Sequence, residues 1–194
     1  MKTALGLVTA AGAGLLGHSL SRKPGSAEFV GSTAAVAGVW AAGSLLDRTP
    51  AGRIGAGPVA AGVGAFVLFR AGAEVARRIP VLRRALQGVL RYATAGNGGA
   101  VLLTTLANGA AEELFFRGPV YNALGATGST AVYVLTTTAT RNPALVAASA
   151  VMGTVFAWQR RSGGGVLAPV VTHVVWSALM VWRLPALVPE KAGP

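Results

Sequence analysis

Two adjacent carboxylates, Glu112 and Glu113, stand at the end of a long uncharged run, in Leu106-Ala-Asn-Gly-Ala-Ala-Glu-Glu-Leu-Phe-Phe-Arg-Gly-Pro119. The chain holds only six acids, and the other four, Glu28, Asp47, Glu74 and Glu190, fall at the ends of apolar runs or in polar connections. A carboxylate inside a membrane helix costs about 2.5–3.5 kcal/mol, so such a residue marks a functional site by default. Arg117 follows Glu113 by one helical turn, and the two can pair on one face. Glu112 points roughly 100° away and shares its face with Asn108, one turn earlier. An ion pair that pins a helix end accounts for Glu113 and Arg117. It leaves Glu112 without a partner, so Glu112 is the residue that points to chemistry.

Histidine is as scarce as acid. His173 lies in Leu167-Ala-Pro-Val-Val-Thr-His-Val-Val-Trp-Ser-Ala-Leu179, with Ser177 one turn later on the same face. A histidine together with a glutamate can hold a divalent metal and activate a water. The competing reading is an imidazole hydrogen-bonded to a serine or threonine across helices. His18, the other histidine, has no motif around it and reads as a packing or hydrogen-bonding residue. The chain has no cysteine, which excludes disulfides, thiolate metal sites and a cysteine nucleophile.

These residues must be positioned by an unusually apolar chain. Of 194 residues, 53 % are hydrophobic and 12 % charged, with a formal charge of +11 and a mean hydropathy of +0.56. Soluble domains carry about 25 % charged residues, so the composition argues against both a soluble and a disordered protein. The runs 3–21, 29–46, 54–69, 92–111, 118–140, 142–159 and 162–182 are free of charge. Each approaches the roughly 20 residues that a helix needs to cross a bilayer. The expectation is an all-α, polytopic transmembrane bundle of about seven spans. The first run continues past the length of a cleavable leader and reads as a retained helix. Small residues at helical spacing, such as Gly12, Gly14, Gly62 and Gly64, suit close helix packing.

Between the third and fourth runs lie Arg70, Arg77, Arg78, Arg83, Arg84 and Arg91, with apolar residues at helical spacing and Pro80 dividing the segment. It reads as a basic amphipathic helix on anionic lipid headgroups rather than a nucleic-acid surface, since it lacks stacking aromatics. Alternating seven spans puts eleven basic residues on the side of this stretch and six on the other. That assigns the first side to the cytoplasm and the N-terminus to the outside.

Glu112-Glu-Leu-Phe-Phe-Arg-Gly118 resembles the first motif of the CPBP intramembrane metalloproteases, the family of the CAAX prenyl proteases and of Abi and bacteriocin-processing proteins. That motif is Glu-Glu-x-x-x-Arg, with Phe before the Arg and Gly after it. Met152–His173 resembles the family's glycine-bearing helix, basic turn and Ala-Pro-x-x-x-His segment. The resemblance divides the chain into N-terminal helices and basic segment at 1–98, a catalytic-type core at 99–182 and a short polar tail at 183–194. It implies a multi-pass protein of the cell membrane and a metal-dependent endopeptidase acting on a peptide or membrane protein. Glu112 would be the base for a metal-bound water, supported by Glu113 and Arg117. His173 and Glu112 would hold a divalent metal, zinc, with Asn108, Thr140, Arg141 and Ser177 as further cavity residues. The chain departs from the pattern twice. Ser177 stands where the family has Asn, which keeps a polar group. The family's Phe-x-x-x-His motif has no histidine counterpart in Val132–Pro143, where Thr140 or Arg141 falls at about its place. Arginine has no lone pair to offer a metal, and threonine is a poor zinc ligand. The implied alternatives are substitution by His18, or a relative that binds membrane peptides without cutting them.

Overall fold

The computed structural model describes residues 1–187, so residues 188–194 of the expected tail, Glu190 and Lys191 included, lie outside the described residues. The described residues form α-helices and short turns and contain no strand. In chain order the helices are α1 (Lys2–Ser19), α2 (Ala27–Ser44), α3 (Gly57–Ala76), α4 (Pro80–Thr94), α5 (Gly98–Phe115), α6 (Tyr121–Thr137), α7 (Pro143–Gly163) and α8 (Leu167–Arg183). A π turn over Phe116–Val120 joins α5 to α6, and a 3-10 turn over Thr138–Thr140 follows α6.

Helix starts follow local chemistry. Ser26 caps α2 by accepting from the Phe29 amide, Asn97 caps α5 through the Ala100 amide, and Asn142 caps α7 through the Ala144 and Leu145 amides. Pro80 occupies the first position of α4, where its missing N–H costs nothing, and thereby separates α4 from α3.

Hydrogen bonds gather the connections into two ends. At one end the Tyr92 hydroxyl of α4 donates to the carbonyls of Leu20 and Arg22, and the Asn142 side chain donates to the Ala85 carbonyl of α4. At the other end the amides of Val166 and Leu167 bond the carbonyls of Pro50 and Ala51, and Asn122 bonds Asp47. The first end carries the arginines of α4 together with Arg22, Lys23 and Arg141; the second carries Arg48, Arg53, Arg160 and Arg161.

Trp40 is fully buried at the centre of the core, stacked on Phe115 and tilted against Phe116. The two phenylalanines of the Glu-Glu motif are thus core residues that anchor the end of α5 against α2. Many large apolar side chains instead point outward, among them Leu7, Val67, Leu103, Leu135, Trp158 and Trp182.

Among the described residues one helix, α3, is both long and apolar enough to cross a membrane, and it is mostly exposed. The reading of about seven such runs counted freedom from charge. In α1, α2, α5 and α7, Ala, Gly, Ser and Thr fill much of the length and lower the mean hydropathy, whereas α6 and the apolar α8, at 17 residues each, are short. The run expected at 92–111 also divides: Tyr92–Thr94 ends α4, and a new helix starts at Gly98.

Candidate active site

The end of α5 is shaped by Pro119. Its ring offers no amide hydrogen, and the chain widens there into the π turn. Carbonyls freed by this turn find side-chain donors: Ser129 Oγ of α6 donates to the Phe116 carbonyl, and Arg160 Nε of α7 donates to the Arg117 carbonyl at 2.9 Å. Arg160 is itself held by Asn122 Oδ1 at 3.1 Å and lies over the Tyr121 ring. The turn therefore delivers Arg117 to the core in a clamped position.

Arg117 and Glu113 are both fully buried. The Arg117 Nε lies 3.3 Å from Glu113 Oε2, an ion pair without hydrogen-bond alignment. The Arg117 Nη2 donates to the Gly153 carbonyl at 3.0 Å, and the guanidinium sits over the rings of Tyr133 and Phe156 at 4.7 and 5.4 Å. On its other oxygen Glu113 faces His173 Nδ1 at 3.0 Å. With Glu113 ionised, Nδ1 is the donor, which leaves Nε2 as the open nitrogen. The imidazole stacks on Phe156, with centroids 4.9 Å apart. Gly109 makes room for it: a Cβ there would stand 2.9 Å from His173 Cδ2 and 3.1 Å from Nε2.

Glu112 faces another way. Asn108 Nδ2 donates to its Oε1 at 2.7 Å, and the Tyr133 hydroxyl donates to its Oε2 at 3.0 Å. It lines a cavity of about 690 Å³ whose walls are mostly apolar. Asn108, Tyr133, Thr137, Thr140, His173 and Ser177 supply polar groups to that cavity. Its remaining wall comes from α1, α2, α3, α4, α5, α7 and α8, including Leu20, Phe29, Phe69, Leu86 and Leu184. No residue of the second end, 45–56 or 116–122, lines it. The cavity therefore occupies the half of the bundle nearer the basic end, and Glu112 closes it at depth.

The structure brings Asn108, Glu112, Tyr133, His173 and Ser177 to one cavity and places Glu113 and Arg117 in the packed wall behind it. It does not bring in Arg141 or His18. Arg141 adopts a left-handed conformation between α6 and α7 and is exposed, so it neither substitutes for a ligand nor acts on Glu112. His18 is exposed on α1 and does not line the cavity. Thr140 touches the cavity, but its hydroxyl donates to the Thr137 carbonyl and accepts from the Asn142 amide. The cavity is also less polar than the expected enclosure of charged residues.

Two residues escaped the sequence reading. Tyr133 and Thr137 both line the cavity, spaced as an aromatic and a polar residue four apart. That is the spacing of the Phe-x-x-x-His motif, with tyrosine and threonine in its two places. The expected places, Thr140 and Arg141, lie three and four residues beyond Thr137. The Thr137 hydroxyl donates back to the Tyr133 carbonyl, as helical threonines do, and supplies no imidazole.

The implied zinc site can be tested on these donors. Catalytic zinc takes three protein ligands and keeps one position open. His173 is prepared as such ligands are, with a carboxylate on its second nitrogen. Yet only Glu112 stands beside it in the cavity, and among the described residues no group of three His, Cys, Asp or Glu can hold a metal. The donor set does not fit a three-ligand zinc centre.

Residues 95–179 match the family model described as Type II CAAX prenyl endopeptidase Rce1-like. No curated protein and no solved structure matches the chain.

Proposed function

We propose, on the premise that the stretch 95–179 belongs to the Rce1-like type II CAAX prenyl endopeptidase family, that this chain is a multi-pass membrane protein with an endopeptidase site at Glu112. The observation that carries the reading is Glu112 itself: a carboxylate at the deep end of an apolar cavity, oriented by Asn108 and Tyr133 rather than consumed by an ion pair. Membrane residence draws support from the ring of outward apolar side chains, far more than a soluble surface carries as isolated exposures. Trp158 near the second end and Trp182 near the basic end suit the two interfaces of a bilayer. On this reading α1, α2, α3, α5, α6, α7 and α8 cross the membrane, and α4 lies at the cytoplasmic surface.

The chemistry is amide hydrolysis. Glu112 accepts a proton from a water as that water attacks the scissile carbonyl, and returns it to the leaving amine. His173, held by Glu113 and backed by Phe156, presents Nε2 to the same cavity, where in its protonated form it donates to the oxyanion. Arg117 fixes Glu113 and so fixes the imidazole. No step needs a metal. The substrate is an extended peptide segment that enters from the basic end with its apolar side chains against the cavity wall. Entry from this end gives a cytoplasmic substrate access to Glu112 although the Glu-Glu motif lies toward the opposite end of the bundle. The cavity reaches the motif from the cytoplasmic half.

A second reading, a relative that binds membrane peptides without cutting them, is favoured by Thr137 in the place of the motif's imidazole. Cleavage of a peptide library by the protein reconstituted in lipid separates the two. The proposal expects cleavage that survives chelation and falls by about 10²-fold or more in Glu112→Gln. Cleavage abolished by chelation and restored by zinc would overturn the metal-free chemistry. Peptide retention without cleavage, unchanged in Glu112→Gln, would establish the second reading.

A further inference from the structure

The helix α4 has two faces. Leu82, Leu86, Val89 and Leu90 share one face at helical spacing, and all four line the cavity. Leu86 and Leu90 pack against Ala73 of α3 and against Met180 and Leu184 at the end of α8. Arg84 and Arg91, seven residues apart, lie on the opposite face, with Arg83 at its flank; all three are exposed. Two nearby cations have carboxylate partners: Arg77 pairs with Glu74, and Arg22 reaches Glu28 at 4.0 Å. Among the described residues no carboxylate pairs with Arg83, Arg84 or Arg91. The helix is tethered at two points, by Asn142 at Ala85 and by Tyr92 at Leu20 and Arg22. Arg83 and Arg84 lie just before the first tether, and Arg91, just before the second, sits over the Tyr92 ring at 5.2 Å.

We infer that α4 is a binding surface for anionic phospholipid headgroups and that headgroup contact holds it in place as a wall of the cavity. The inference rests on the membrane reading given above but not on catalysis. Charge complementarity selects the occupant: two guanidinium groups on one face and a third at its flank, none paired with a carboxylate, match phosphate oxygens. The exposed apolar residues Ile79 and Val81 at the start of the helix suit the acyl boundary. A nucleic acid would also meet the charge, but it would find no aromatic platform and would have to displace the lipid surface that α4 adjoins. Because the same helix turns its other face to the cavity, the anionic lipid content of the membrane sets how firmly that cavity is closed.

Hydrogen exchange on the full chain tests this. The protein is placed in nanodiscs of phosphatidylcholine alone, and of phosphatidylcholine with about one-third phosphatidylglycerol. Co-flotation with liposomes first checks membrane insertion; a chain that stays out of the bilayer overturns the membrane reading itself. With insertion established, amides of residues 80–94 exchange at least about tenfold more slowly in the anionic discs, as expected for several arginines at a charged surface. R83Q/R84Q/R91Q removes the difference while the amides of α5 and α8 keep their protection. Equal exchange in both discs, or a difference that persists in the triple variant, overturns the proposal. So does equal protection of α4 by a single-stranded RNA oligonucleotide in neutral discs.

Discussion

At the scale of single residues, the site separates two neighbouring glutamates into different tasks. Glu113 is structural: it sits between Arg117 and His173 with no exposed surface. Removing its charge leaves Arg117 buried beside only carbonyl and ring partners. Glu113→Gln is therefore expected to destabilise the protein by about 3–5 kcal/mol, the usual cost of breaking a buried pair, seen as a lowered unfolding midpoint in detergent. Glu112 carries no such structural burden, and Glu112→Gln should unfold near the native midpoint. The Tyr133 hydroxyl holds one Glu112 oxygen. Tyr133→Phe keeps the ring under Arg117 and removes only that hydrogen bond. Loss of one such bond, roughly 1 kcal/mol, should lower the cleavage rate about fivefold with little change in stability.

At the scale of elements, the site depends on two close approaches that sequence spacing does not reveal. The first is α5 against α8, where Gly109 lies under the His173 ring. Gly109→Ala would push the imidazole away from Glu113. The expected cost is about 1–3 kcal/mol of stability from overpacking, together with loss of cleavage. Restoring activity by enlarging the space on the Phe156 side would support this account, and an unchanged rate in Gly109→Ala would contradict it. The second is the π turn, clamped from α7 by Arg160. Arg160→Met removes a charge-assisted bond to the Arg117 carbonyl and one to Asn122, worth about 1.5–3 kcal/mol each. Greater hydrogen exchange confined to residues 115–122 would show the clamp at work. The Glu-Glu motif reads in sequence as a local pattern. The residues that hold its end, Ser129 and Arg160, lie 13 and 43 positions after the carbonyls they bond.

At the scale of the whole molecule, the two ends of the bundle differ in charge and in access. The basic end gathers α4 and the connections at 20–26 and 138–142, and the cavity opens within that half. A chain without cysteine suits labelling at introduced single cysteines. In sealed vesicles a membrane-impermeant thiol reagent should react with cysteines at Ser21 and Ala95 from one side, and with cysteines at the exposed positions Arg48 and Ser162 from the other. Reaction of all four from the same side would refute the seven-span arrangement.

The sequence by itself determined the helical class, the break at Pro80 and the Glu-Glu-Arg motif, because composition, proline geometry and i,i+4 spacing act within one or two helical turns. Much of the bundle's layout was therefore readable from where charges interrupt apolar runs. The partners of the motif were not readable. Whether His173 turns to Glu113, whether Tyr133 or Thr140 stands beside Glu112, and whether Arg141 points inward all depend on how helices distant in sequence pack. Only the tertiary structure decided those, along with the half of the bundle that the cavity occupies. A helix face is set by spacing along the chain, but what that face meets is set by the rotation and approach of its neighbours.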